Sequence, residues 1–430
     1  MILKTLSAEN FASFAERVTF TTETDANKKE NIHNTFANGD LCFNKVSFLY
    51  GANGSGKTFF CKILREIQRY LTLSPLIIAA DNSQFLSTPQ LKGFDTPVKP
   101  FAFDLGCQGK PTAFCIEIVI AKTAYRYEFA VQDKQVVRER LSKKFRRTEI
   151  LIERTSPSYK DITLRSELKG FEPTKQTVKP ETLCLPIAAM LNNPLASQLN
   201  NAICSIQVVS MAAGRLNPIH PRKTFSKERI EKYIRVIQKA DPTIRDIEVS
   251  FSEEEIARQK IETDDFENRE IIATKTTVGI DTKHVVYDNG EEHSNQTPIS
   301  FFAEESLGTV KLFTALPYLY DVLESGGVLI IDELENGLHI SLAKEIINLF
   351  TNEESNPKHA QLICTSHQPL LLDGDYRRDQ VWVVSKDTYG KSLLHRLSEM
   401  QTPRAKINLT AQILRGAFGC NPDMFFDNNT

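Results

Sequence analysis

The chain has 430 residues, 41% hydrophobic and 25% charged, enough for two or three domains and for a substantial core. With 52 Lys and Arg against 54 Asp and Glu the formal net charge is −2, so no global field draws in nucleic acid or an acidic membrane, and any such partner must meet a local patch. The eight cysteines form no Cys-x-x-Cys pair and nowhere do about 18 apolar residues run together, which argues against a zinc site and a membrane-spanning helix; a cytoplasmic protein with reduced thiols and no membrane contact is expected.

Residues 6–20 alternate like a half-buried strand with a turn, and a polar stretch over residues 21–40 follows. Next come the apolar run Val46–Tyr50, the segment Gly51-Ala-Asn53-Gly54-Ser55-Gly56-Lys57-Thr58, and the helix-like Phe59-Phe-Cys-Lys-Ile-Leu-Arg65. A glycine-rich loop between a buried strand and a helix points successive backbone N–H groups at phosphate oxygens, and the helix N-terminus adds partial positive charge. Gly51, Asn53, Gly54, Ser55 and Gly56 are the expected cradle, Lys57 the contact to the β- and γ-phosphates, and the Thr58 hydroxyl a ligand of Mg²⁺. A nucleoside triphosphate is therefore the expected ligand.

A loop-rich stretch to Pro100, with prolines at 75, 89, 97 and 100, is expected after the first helix. Residues 114–120, 125–131 and 136–141 read as strands of an antiparallel sheet. From about 154 to 295 the composition turns more charged, with prolines as punctuation and helical segments such as 226–240, where Ile230, Tyr233, Ile234 and Ile237 share a face. No heptad register survives three repeats there, which argues against a long coiled coil. From Gly327 onward buried strands alternate with helix, at 328–331, 342–350, 361–364 and 381–384, the pattern of a parallel sheet covered by helices. The expected fold is α/β: an N-terminal lobe over 1–153, an inserted mixed, mostly helical region over 154–295, and a C-terminal lobe over 296–430, the two ends building one nucleotide-binding domain.

Three further constellations carry chemistry. Val328-Leu-Ile-Ile-Asp332-Glu333 ends an apolar strand in two carboxylates: Asp332 can hold Mg²⁺ through its water shell, and Glu333 can polarise the water that attacks a γ-phosphate. Glu305-Ser306-Leu-Gly308-Thr309 opens a helix-like run, so Ser306 and Gly308 offer a hydroxyl, backbone amides and a helix N-terminus to a phosphate. Cys364-Thr-Ser366-His367 follows a buried strand, where the His367 imidazole can hydrogen-bond a γ-phosphate or the attacking water.

This order of motifs resembles the ATP-binding-cassette ATPases in their soluble branch, which includes SMC and RecF proteins, and more closely the bacterial AAA-type ATP-binding proteins of the abortive-infection AbiLi and Septu PtuA kind. Matching residues are Asn10-Phe-Ala-Ser-Phe14, the phosphate loop, Tyr125-Arg-Tyr127, 305–309, Asp332-Glu333 with Leu338-His339, Ser366-His367, Arg378-Asp-Gln-Val-Trp382 and Gly416-Ala-Phe-Gly419. The resemblance implies a head of parallel sheet with helices plus an antiparallel β lobe, ATP with Mg²⁺, and a homodimer of heads sandwiching ATP in which Ser306 and Gly308 act in trans. It implies that residues 334–339 communicate across the dimer, and it leaves Gln84 and Gln108 as candidates for the glutamine that couples nucleotide to the insertion. The implied setting is anti-phage defence beside a separate effector protein, a nuclease or toxin. The same residues also fit a RecF- or SMC-type ATPase of DNA repair or chromosome maintenance, and an ATP-bound scaffold that holds a toxic effector with little turnover.

Arg138, Arg140, Lys143, Lys144, Arg146 and Arg147 cluster around Phe145, so nucleic acid can be met within 138–147; the alternative is a solvated hairpin end balanced by the acidic stretch 253–267. Arg222, Lys223 and Lys227 form a weaker patch.

Overall fold

The computed structural model describes residues 1–25, 30–81, 98–212, 221–262, 268–400 and 409–414. The chain divides into two compact units, the first comprising Met1–Ser210, Asp321–Asn336 and Ala343–Thr430, the second Met211–Tyr320 and Gly337–Leu342. Among the described residues no helix is long and apolar enough to cross a membrane.

In the first unit a six-stranded sheet runs in the order Gln207–Ser210, Val328–Asp332, Gln361–Ser366, Val46–Tyr50, Val381–Lys386, Ser392–Arg396. Neighbours are parallel except the last pair. Every residue of Val46–Tyr50 and of Val328–Asp332 is buried, which is why both read as unbroken apolar runs rather than alternating ones. A seven-stranded antiparallel sheet has the order Ile162–Leu164, Thr148–Arg154, Gln135–Lys144, Thr123–Gln132, Thr112–Ile120, Ile2–Glu9, Val18–Thr21.

The helix Lys57–Asp81 buries Phe60, Ile63, Leu64, Ile67 and Leu71, a three-and-four spacing that turns one face inward. These residues share a single core with Leu3, Leu6, Phe114 and Ile116 of the antiparallel sheet and Ile330 and Ile363 of the parallel one. The helix continues through Pro75, where the sequence pattern placed a loop-rich stretch. Just before the proline, the Ser74 hydroxyl donates to Tyr70 O at 2.7 Å and accepts the Leu183 N–H at 3.0 Å, tying this turn of the helix to the segment that follows residue 182.

Side chains at 377–380 fix the strand that carries the phosphate loop. The Gln380 amide donates to Val46 O at 2.8 Å, while Arg377 reaches both oxygens of the buried Asp379 at 2.9 and 2.7 Å. This pinning gives the segment Arg378-Asp-Gln-Val-Trp382 a structural role.

The second unit is built from the helix Lys227–Ala240, a three-stranded antiparallel sheet of Ile244–Glu262, Asn268–Asp288 and Glu291–Ser300, and the helix Leu307–Ser325 as far as Tyr320. Ile230, Tyr233 and Ile237 are buried as their common face predicts. Phe313 is the packing centre, with Phe225, Tyr233 and Phe301 rings at 5.9, 5.8 and 4.8 Å. The region 154–295 thus carries long strands beside its helices.

Candidate nucleotide site

Register places the chemistry. Tyr50 lies beside Ser366, Cys364 beside Ile331, and Asp332 beside Ser210, so the phosphate loop, Asp332 and His367 all leave the carboxyl ends of adjacent parallel strands. That edge is where open α/β sheets bind ligands.

The loop is backed by a tight wall. A Cβ on Gly51 would fall on Val384 O, and one on Gly56, at φ +117°, would run into the hydroxyls of Ser392 and Ser13. Only glycine fits either place. The Ser392 hydroxyl donates to Ser55 O and accepts from the Ser13 hydroxyl, tying the loop to the final strand. The Ser55 hydroxyl is buried without a hydrogen-bond partner, Asn53, Gly54 and Thr58 are exposed, and Thr58 stands in the first turn of the helix.

Lys57 is 6% exposed, and its Nζ donates to Gly51 O at 2.7 Å and Ala52 O at 2.9 Å. Burial pulls its pKa below the ordinary lysine value, against the opposing charges of Glu335, Glu333 and Asp332. Three carboxylates therefore act on one buried ammonium.

Asp332 is buried, and its Oδ1 accepts the Thr365 hydroxyl at 2.7 Å. The same hydroxyl accepts the Glu333 N–H at 2.8 Å. Glu333 takes φ +57°, a left-handed conformation costly for a non-glycine residue, and Asn336 donates to its Oε2 at 2.7 Å. Burial and the neighbouring Asp332 push the Cys61 thiol well above its ordinary pKa. His367 is half exposed, with Nδ1 2.9 Å from Glu335 Oε1, which also accepts the His367 N–H at 2.8 Å.

Ser306 and Gly308 lie in the second unit. The Ser306 hydroxyl accepts the Thr309 N–H at 3.1 Å and so caps the helix, while Ser306 and Leu307 are exposed. A Cβ at Gly308 would meet Gly337 O at 3.0 Å. His339 hydrogen-bonds Ser341 Oγ at 2.7 Å. At the start of the signature segment 305–309, Glu305 accepts from Thr282 and sits 2.6 Å from His284 Nε2, joining the turn to the strand Asn268–Asp288. Gln84 and residues 416–419 lie outside the described residues. Gln108 is exposed and follows the turn Leu105–Cys107.

The structure thus gathers the loop, Lys57, Thr58, Asp332, Glu333 and His367 in one unit. Sequence reasoning missed Thr365, Glu335, Asn336 and Ser392. Thr365, Glu335 and Asn336 stand inside segments already singled out, a signal of place that does not show their partners. Ser392 offered none.

Of the basic cluster, Lys143 bonds Glu167 at 2.6 Å and Glu149 at 3.2 Å, and Arg140 lies opposite Glu128 and Glu153 in the ladder. Lys144, Phe145, Arg146 and Arg147 are exposed at the tip of the hairpin.

A parallel sheet that presents a glycine loop, a buried lysine and strand-end carboxylates at one edge defines a phosphate-loop ATPase head. The chain belongs to the family described as "AAA domain, putative AbiEii toxin, Type IV TA system", whose match covers residues 46–170 and 224–373. No curated protein matches the chain. Among solved structures it is similar to the SMC head domain from Thermotoga maritima, at 11% identity and TM-score 0.37 over 92% of this chain and 99% of that one. It is also similar to the Smc head domain with an extended coiled coil bound to the C-terminal domain of ScpA derived from Pyrococcus furiosus, at 13% identity and TM-score 0.39 over 97% of this chain and 99% of that one. The fold itself rests on the strand order and register above.

Proposed function

We propose that the chain is a Mg²⁺-dependent ATPase whose heads pair around ATP, and that it serves as the cytoplasmic sensor or regulatory ATPase of a bacterial anti-phage system, acting with a separate effector. The family description, which names a putative toxin of a toxin–antitoxin system, supports the defence setting. The observation that carries the chemistry is the Asp332–Thr365–Glu333 chain of hydrogen bonds at the strand edge that bears the phosphate loop.

The residues present suit a triphosphate and a divalent cation. An unpartnered buried hydroxyl at Ser55 and a lysine held on loop carbonyls provide donors for phosphate oxygens. Thr58 and Asp332 provide the hydroxyl and carboxylate oxygens that Mg²⁺ takes alongside phosphate. Bound Mg²⁺ would supply positive charge that offsets charge developing on the phosphates. Lys57 exchanges its loop carbonyls for phosphate oxygens and so orients the substrate. Glu333, fixed by Asn336 and by its own N–H on Thr365, accepts the proton of the attacking water. His367, after the strand that lies between those of Asp332 and the phosphate loop, hydrogen-bonds the γ-phosphate or that water. Ser306, exposed at a helix start, and the half-buried Gly308 complete the site of a second copy.

ATP turnover by purified protein, with and without Mg²⁺ and across protein concentrations, tests this reading; no turnover, or a rate per chain independent of concentration, rejects the paired head. The hairpin tip with Lys144, Phe145, Arg146 and Arg147 exposed favours a second reading, a nucleic-acid-dependent ATPase of the repair type. Salt-sensitive duplex binding lost in a Lys144→Glu, Arg146→Glu, Arg147→Glu variant would establish it.

A further inference from the structure

Glu335 has no part in the mechanism above, yet its carboxylate is buried and anchored at the same edge. One oxygen, Oε1, meets both the backbone N–H of His367 at 2.8 Å and the ring Nδ1 at 2.9 Å. The carboxylate is 8% exposed and the imidazole 44%, so a buried anchor holds a solvent-facing ring. Its other oxygen, Oε2, is buried without a hydrogen-bond partner. The contact also joins the turn after Val328–Asp332 to the turn after the adjacent strand Gln361–Ser366.

A carboxylate only accepts, so Nδ1 must carry the hydrogen in this contact. In a neutral imidazole the lone pair then lies on Nε2, and in a charged one Nε2–H is a donor. In either form the ring is held by its far nitrogen, and only Nε2 is left to face a reacting group. We propose that Glu335 is the positioning residue of His367, fixing the ring and its tautomer so that Nε2 is presented to the γ-phosphate or the attacking water. The inference rests on the reading of His367 given above. The competing role is that of a counter-charge to Lys57, since Glu335 is foremost among the carboxylates acting on that ammonium.

The two roles separate in kinetics. Positioning of a group used in the transition state lowers kcat and leaves substrate binding alone, whereas a counter-charge on Lys57 alters ATP affinity. Steady-state kcat and KM, with the equilibrium affinity for ATP, are compared for Glu335→Ala, Glu335→Gln, His367→Ala and the Glu335→Ala/His367→Ala double variant, each first checked by thermal melting. Glu335→Ala is expected to lower kcat by about 10- to 100-fold, as His367→Ala does, with KM within about twofold of wild type. The double variant should be no slower than His367→Ala alone, because both changes remove one function. Glu335→Gln keeps an oxygen that accepts both hydrogens and should recover kcat to within about fivefold of wild type. A weakened ATP affinity at unchanged kcat, additive losses, or a Gln variant as slow as the Ala variant overturns the proposal. A slow His367→Ala beside a fast Glu335→Ala overturns it alone; a His367→Ala protein at the wild-type rate removes the reading of the histidine as well.

Discussion

Thr365 donates its hydroxyl to Asp332 at 2.7 Å and with the same oxygen accepts the N–H of Glu333, so one buried side chain sets both acids at the end of the neighbouring strand. The acid pair, legible in the sequence, is aimed by a residue that is not.

Thr365→Val keeps the shape and removes both hydrogen bonds. It leaves a buried carboxylate oxygen and an amide unpaired, which costs about 1–3 kcal/mol of stability. Turnover should fall by roughly tenfold or more, because a misplaced base costs rate out of proportion to its displacement. Thermal melts and kcat of the variant check this; wild-type values for both would mean that Asp332 and Glu333 are held by the strand alone.

The loop, its strand and helix, and the acid-ended strand could be read because each is a contiguous run with one period. Thr365, Glu335 and Asn336 could not, since each is a common residue whose partner is brought by register between strands or by a turn at φ +57°. The strands Ile244–Glu262 and Asn268–Asp288 show no clean alternation in their mixed polar sequence; they pair with each other across most of their length and bury Ile244, Ile247 and Ile280. Pro75 suggests a break, yet the helix runs on through it to Asp81.

Stability should depend on Asp379 in acid. Burial pushes its carboxyl up, but hydrogen bonds from Arg377 and from the Asp25 N–H, with the nearby Arg377 and Arg396 charges, hold it below the ordinary aspartate value. A folded pKa below the unfolded one of about 3.9 means that this stabilisation is present above about pH 4 and is lost as pH falls through the folded value. Asp379→Asn should lose about 3 kcal/mol at pH 7, since it leaves Arg377 buried beside a neutral amide, and should show a shallower loss of stability on acidification. Denaturant unfolding at pH 7 and below pH 4 measures both; the same difference between variant and wild type at every pH would show that the carboxylate is not the source.

Replacing Ser306 by Arg puts a long cation where a hydroxyl and backbone must approach a second copy's phosphate. ATP binding should survive while turnover is lost. Mixed with Lys57→Ala, it should regain a portion of the activity, through pairs in which one site keeps both an intact loop and an intact signature. Turnover across mixing ratios, with the mass of the assembly in ATP, is the readout. A fully active Ser306→Arg protein would leave Ser306 as the helix cap seen in its bond to Thr309.

The central claim is that one edge of the parallel sheet binds ATP through Lys57 and hydrolyses it through Glu333. Calorimetric ATP binding and turnover, measured side by side on Lys57→Ala and Glu333→Gln, test it most directly. Lys57→Ala should lose tight binding, while Glu333→Gln should bind ATP as wild type does and hydrolyse it ~10²–10⁴-fold more slowly. Wild-type affinity in Lys57→Ala, or a Glu333→Gln protein that loses ATP as completely as Lys57→Ala does, would contradict it.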